Sequence, residues 1–84
     1  GGAIALDGNR YTLSVRGSRL EGNTANEGGG AIFFVSNNRT GTATLSGSTL
    51  RRNRSLGFET RGLPGIFFLG ARPPRVMRGT TLAP

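Results

Sequence analysis

Cysteine, histidine, lysine and tryptophan are all absent from this 84-residue chain. Without cysteine there is no disulfide staple, no thiolate metal site and no thiol nucleophile. Without histidine the Ser-His-Asp triad is excluded, as are the usual zinc and non-haem iron ligand sets. Acids are scarce: Asp7, Glu21, Glu27 and Glu59 stand against 11 arginines, for a net charge of +7. No apolar run approaches the roughly 18 residues that span a bilayer, and no signal peptide is in view. The chain opens on Gly1-Gly2 and not on Met, so the expectation is a fragment of a longer array.

The all-arginine charge raises the question of nucleic acid, because guanidinium pairs well with phosphate. The arginines are dispersed and are not interleaved with aromatics as single-strand binding would need. No nucleic-acid partner is expected. Glycine is frequent, at 15 residues, but follows no Gly-X-Y period, which excludes collagen. Short runs of Ile, Val, Leu and Phe argue against disorder and for many short strands joined by tight turns.

Self-similarity organises the rest. Val15-Arg16-Gly17-Ser18-Arg19-Leu20, Leu45-Ser46-Gly47-Ser48-Thr49-Leu50 and Met77-Arg78-Gly79-Thr80-Thr81-Leu82 share one pattern, at offsets of 30 and 32. Gly2-Ala3-Ile4-Ala5-Leu6, Gly30-Ala31-Ile32-Phe33-Phe34 and Gly65-Ile66-Phe67-Phe68-Leu69 interleave with it, and Leu20-Glu21-Gly22-Asn23 matches Leu50-Arg51-Arg52-Asn53. Periods of this size mark solenoids or arrays. The step from Val15, Leu45 or Met77 to the following Leu is 5 in every copy, whereas the other two junctions vary. Insertions therefore fall at particular turns.

Each copy alternates with period 2, as a strand with one buried face does. No helical period is present, which excludes ankyrin, tetratricopeptide and HEAT repeats. The fold class expected is all-β: a right-handed parallel β-helix of about three coils, near residues 1–28, 29–61 and 62–84, forming one domain over 1–84 with three sheets. Inward columns are expected at Ile4/Ile32/Ile66, Leu6/Phe34/Phe68, Val15/Leu45/Met77 and Leu20/Leu50/Leu82. Ser18/Ser48/Thr80 should form a hydroxyl column, and Asn23 and Asn53 an amide ladder at a turn. Two sequons, Asn38-Arg39-Thr40 and Asn53-Arg54-Ser55, are short patterns of high chance frequency. Asn53, as a ladder residue, would be a poor glycan acceptor.

The run from Gly22 to Ile32, Gly-Asn-Thr-Ala-Asn-Glu-Gly-Gly-Gly-Ala-Ile, resembles the repeats of bacterial right-handed parallel β-helix surface proteins. It is similar to the polymorphic outer-membrane proteins, which carry Gly-Gly-Ala-Ile and Phe-x-x-Asn repeats. Gly1 to Ile4 and Gly29 to Ile32 match the first motif. Leu20 to Asn23 and Leu50 to Asn53 match the second, with Leu in place of Phe. The resemblance spans about residues 1–69. Leu63-Pro64-Gly65-Ile66 departs from the first motif, and Ala71 to Val76, with Pro73-Pro74, is off pattern. The resemblance implies a secreted or surface-displayed protein, an adhesin or passenger segment, at the outer membrane or outside the cell. Its partners would be a surface receptor or glycan and the neighbouring coils of its own parent chain. It implies no catalytic residue.

Function readings follow from the four acids. Pectinase-like lyases and hydrolases share this fold, so a piece of such an enzyme, with its active site in other coils, is the alternative. Glycoside hydrolysis needs two carboxylates about 5–9.5 Å apart. Asp7 aligns with Val35, Glu21 aligns with Arg51 as a surface ion pair, and only Glu27 and Glu59 fall in equivalent turns. Glu27-Gly28-Gly29-Gly30 lacks the Asp of a calcium-binding nonapeptide coil, and no P-loop Lys exists. The reading is a structural, adhesin-like segment with no catalytic, cofactor or metal site. Arg16, Arg19, Arg39, Arg51, Arg52 and Arg54 form its solvated outer face, which also discourages edge pairing.

Overall fold

Alternating apolar residues cannot hide in one short strand, so each coil must bury its face against its neighbours. The computed structural model describes residues 2–84; the part of the Gly-Gly-Ala-Ile match on Gly1 lies outside them. The first coil contributes β1 (Ile4–Gly8), β2 (Thr12–Arg16), β3 (Arg19–Glu21) and β4 (Thr24–Ala25). The second contributes β5 (Ile32–Ser36), β6 (Thr42–Ser46), β7 (Thr49–Arg51) and β8 (Arg54–Ser55), and the third β9 (Ile66–Leu69), β10 (Arg75–Val76) and β11 (Thr81–Leu82). Every pairing is parallel and joins equivalent strands: sheet 1 is β1-β5-β9, sheet 2 is β2-β6-β10, sheet 3 is β3-β7-β11 and sheet 4 is β4-β8. The molecule is an all-β parallel β-helix.

Four sheets form where three were expected. The additional one is the short pair Thr24↔Arg54 and Ala25↔Ser55, which the chain reaches directly after the Asn23 and Asn53 corner. Two residues are too few to show alternation in a sequence, and only Ala25 of this pair is apolar and buried.

Three of the four inward columns stand in the expected register. Ile4↔Ile32↔Ile66 and Leu6↔Phe34↔Phe68 line sheet 1, and Leu20↔Leu50↔Leu82 lines sheet 3. In the middle coil these side chains are closed on both sides: Ile32, Phe34, Leu45 and Leu50 are buried, whereas Leu6, Leu20 and Leu82 are half-buried. Burial of one such side chain contributes about 1.5–3 kcal/mol. Phe34 stacks on Phe68 at 4.3 Å and meets Tyr11 edge-on at 4.9 Å. The Tyr11 hydroxyl sits against the Val35 carbonyl and lies 3.2 Å from that of Leu6. Desolvation by this packing raises the phenol pKa above its ordinary value, and the negative charge of Asp7 adds to the rise.

The fourth column is corrected. Val76, not Met77, pairs with Leu45, and Arg75 pairs with Thr44. Pro73-Pro74 explains the shift. Proline fixes its own φ and forces the preceding residue toward extended backbone, so the chain reaches the strand early. The Met77 amide donates to the Leu45 carbonyl at 2.8 Å, and a turn closed by Thr80 N to Met77 O (3.2 Å) absorbs the extra residue. Register is restored at Thr81↔Thr49.

The fixed step of 5 in the first two coils has a backbone cause. Gly17 and Gly47 close the corner between sheets 2 and 3 with φ of 55° and 54°, a left-handed conformation that glycine adopts without steric cost. The next corner is closed by Gly22 (φ 68°) in the first coil and by Arg52 (φ 57°) in the second. The glycine of Gly-Ala-Ile serves contact: a Cβ on Gly30 would meet the Asn53 carbonyl carbon at 2.5 Å and the Arg54 carbonyl oxygen at 2.6 Å.

Candidate functional site

The four carboxylates are dispersed, and three of them have structural partners. Glu21 lies level with Arg51; its Oε1 is 2.9 Å from Arg51 Nε and 3.3 Å from Arg19 Nε. Exposed pairs of this kind contribute about 0–1 kcal/mol. Asp7 lies level with Val35 and accepts a hydrogen bond from Asn37 Nδ2 at 3.3 Å. Glu59 Oε2 accepts from the Gly65 amide at 2.9 Å and so holds the turn before β9. Glu27 is exposed. The sequence puts Glu27 and Glu59 in equivalent turns, but the Gly28↔Phe58 bridge sets Glu27 beside Gly57 and Glu59 beside Gly29, so the two are staggered. Among the described residues, no three acids gather where they would hold a metal ion.

The Asn and Ser columns are structural. Asn53 is buried; its Oδ1 accepts from the Asn23 amide N (3.2 Å) and Nδ2 (2.9 Å), while its own Nδ2 donates to the Leu20 carbonyl at 2.8 Å. Both its side-chain oxygen and nitrogen are bonded to the coil beneath, since buried polar groups require partners. Ser48 Oγ donates to Ser46 O (2.9 Å) and accepts from the Ser18 amide (3.1 Å). The column therefore works through side chain to backbone bonds. Thr80 instead donates to Leu45 O at 3.3 Å. Asn38 is exposed, and its Oδ1 accepts from the Thr40 hydroxyl at 2.7 Å.

Chemistry-bearing side chains project from the outer faces of sheets 1 and 2, and the two faces differ. Outward from sheet 1 stand the columns Ala5/Phe33/Phe67 and Asp7/Val35/Leu69. Phe33 and Phe67 stack at 5.5 Å, and Phe58, itself 45% exposed, meets Phe67 edge-on at 4.8 Å. Sequence reasoning assigned only the inward alternates. The available signal was the unbroken apolar runs Ile32–Val35 and Ile66–Leu69, since strands apolar at consecutive positions are covered on both faces.

Outward from sheet 2 stand Thr12/Thr42, Ser14/Thr44/Arg75 and Arg16/Ser46. Here the chain between β9 and β10 stacks on the turn before β6, with the Ala71 amide donating to the Gly41 carbonyl at 2.9 Å. Arg72, Pro73 and Arg75 enclose an open cleft of about 450 Å³ with Thr42, Ala43 and Thr44. Among the described residues, neither guanidinium has a carboxylate within ion-pair distance. The cleft is lined by guanidinium donors and hydroxyls, and no acid is among its lining residues. Comparison with family models, with curated proteins and with solved structures finds no match for this chain.

Proposed function

We propose that the chain is a structural, adhesin-like segment of a secreted or surface-displayed β-helix protein, of the kind that the polymorphic outer-membrane repeats resemble, and that it performs no catalysis itself. One observation supports this reading best. The interior is spent on stacked apolar and amide columns, while Asp7, Glu21 and Glu59 are engaged in holding turns and neighbouring coils. What varies from coil to coil lies outside: turn lengths, arginines and hydroxyls. A scaffold that presents a surface needs these parts, and a hydrolase coil would need an opposed pair of free carboxylates. The turn Asn37–Gly41 is the place to test it. Its residues Asn37, Asn38, Arg39 and Thr40 are exposed. An epitope inserted after Asn38 in the parent protein should be reached by antibody on intact cells. Detection only after lysis would overturn surface display.

A further inference from the structure

We infer that the cleft on the outer face of sheet 2 is a binding site for an anionic polysaccharide, one whose sugars carry carboxylate or sulfate groups. The inference deepens the surface reading by naming a ligand class, and it rests on that reading only for its biological setting. Arg75, the first residue of β10, lies level with Thr44 on β6, and Arg72, just before Pro73-Pro74, lines the same cleft as Thr42 and Thr44. A guanidinium presents a rigid fork of donors that fits a carboxylate or sulfate through two parallel bonds. Neither arginine has a carboxylate partner among the described residues. The hydroxyls beside them supply the neutral donors and acceptors that sugar hydroxyls need.

The face continues beyond the cleft. Thr12 and Thr42 bring their hydroxyl oxygens to 3.5 Å, and Arg16 stands level with Ser46 on the coils below. Every outward residue of sheet 2 is thus a hydroxyl or an arginine, and none is an acid. A polymer lying along the solenoid axis would meet a new rung about every 4.8 Å, a rise comparable to one sugar unit. The net charge of +7 favours anion approach from any direction. Nucleic acid fits less well, because base-stacking aromatics are missing here; the exposed ones, Phe33, Phe58 and Phe67, belong to the other face.

The test measures retention of the 84-residue chain on alginate, dextran sulfate, neutral dextran and double-stranded DNA at equal ionic strength. Binding to one or both acidic polysaccharides is expected, weakening as salt rises, with none to neutral dextran. The stronger of the two identifies carboxylate or sulfate as the preferred group. The double variant Arg72→Gln/Arg75→Gln should lose about tenfold or more in affinity, equivalent to about 1.4 kcal/mol. Arg51→Gln/Arg52→Gln, which removes the same charge from sheet 3 and its corner, should lose little. Thr44→Val, an outward change that leaves both arginines in place, should also weaken binding. The inference is overturned by equal losses in the two double variants, by tighter binding to DNA than to either polysaccharide, or by no retention. Each of these leaves the epitope experiment on the parent protein unaffected.

Discussion

Sheets 1 and 2 have similar inward faces and opposite fates in the third coil. Sheet 1 keeps its register from Ile4 to Ile66 without a slip, in strands of 5, 5 and 4 residues. Sheet 2 falls from 5 residues to 2 and shifts by one position. The difference lies on the outside. Phe33 and Phe67 pack against each other and against Phe58, so sheet 1 is specified by both of its faces. Sheet 2 is specified from within alone, and a one-residue slip exchanges the inward side chain. There the sequence offers Val76 and Met77 side by side, either of which can cap Leu45. A slip in sheet 2 therefore costs little, and the strand start imposed by Pro73-Pro74 decides it.

The comparison can be broken most severely from inside. Phe34→Ala should destabilise by about 3–5 kcal/mol in chemical denaturation, because its ring lies between Tyr11 and Phe68 in the closed middle coil. A loss no larger than that of a surface Arg→Ala change would show that sheet 1 is not packed inward. The neighbouring Phe33→Ala tests the outer face. It should cost about 1–2 kcal/mol, from partial burial and one stacked aromatic pair. No measurable loss would mean that the outer aromatics do not help to hold the register of sheet 1.

A smaller effect separates the two registers of sheet 2. Val76 and Met77 are 41% and 43% exposed, so exposure alone predicts similar costs on replacement by Ser. The observed register predicts that Val76→Ser costs more, by about 0.5–1 kcal/mol, and that the Met77 amide is protected from hydrogen exchange by Leu45 O. The reverse order of costs would restore the spacing read from sequence. Smallest is the titration of Tyr11, the one tyrosine in the chain. Its folded pKa is raised above the unfolded value of about 10. The neutral phenol's contribution is fully present below pH of about 10 and is lost as pH rises through the folded pKa. Asp7→Asn should lower that pKa in a phenolate absorbance titration, since the Asp7 charge is the second contribution to the rise.

Much of this was legible because like residues stack on like. The Ile, Leu and Phe columns and the Asn23–Asn53 ladder could be aligned from spacing alone, since insertions fall at turns and leave the strands intact. The Glu21–Arg51 pair followed from the same alignment. Three things were not legible. Sheet 4 is too short to alternate. The Val76 register depends on backbone restriction by prolines, and the Met77 match to the repeat pattern concealed it. The cleft of sheet 2 is lined on one side by Arg72, Pro73 and Arg75, which lie in the off-pattern run from Ala71 to Val76 and which no periodicity places. The arginines of the candidate site are thus residues that the repeat does not describe, set beside β6 residues that it does.

The parallel pairing of every strand also defines how the molecule yields to force. Backbone hydrogen bonds between coils all run along the solenoid axis, and the Asn53 ladder runs with them. Tension applied along that axis is carried by every coil in series, and the outermost coil, paired on one side only, peels away while the next remains closed. A coil of about 30 residues releases about 100 Å of contour length when extended. The coil is therefore the mechanical quantum of this fold, and extension should proceed in steps of that length.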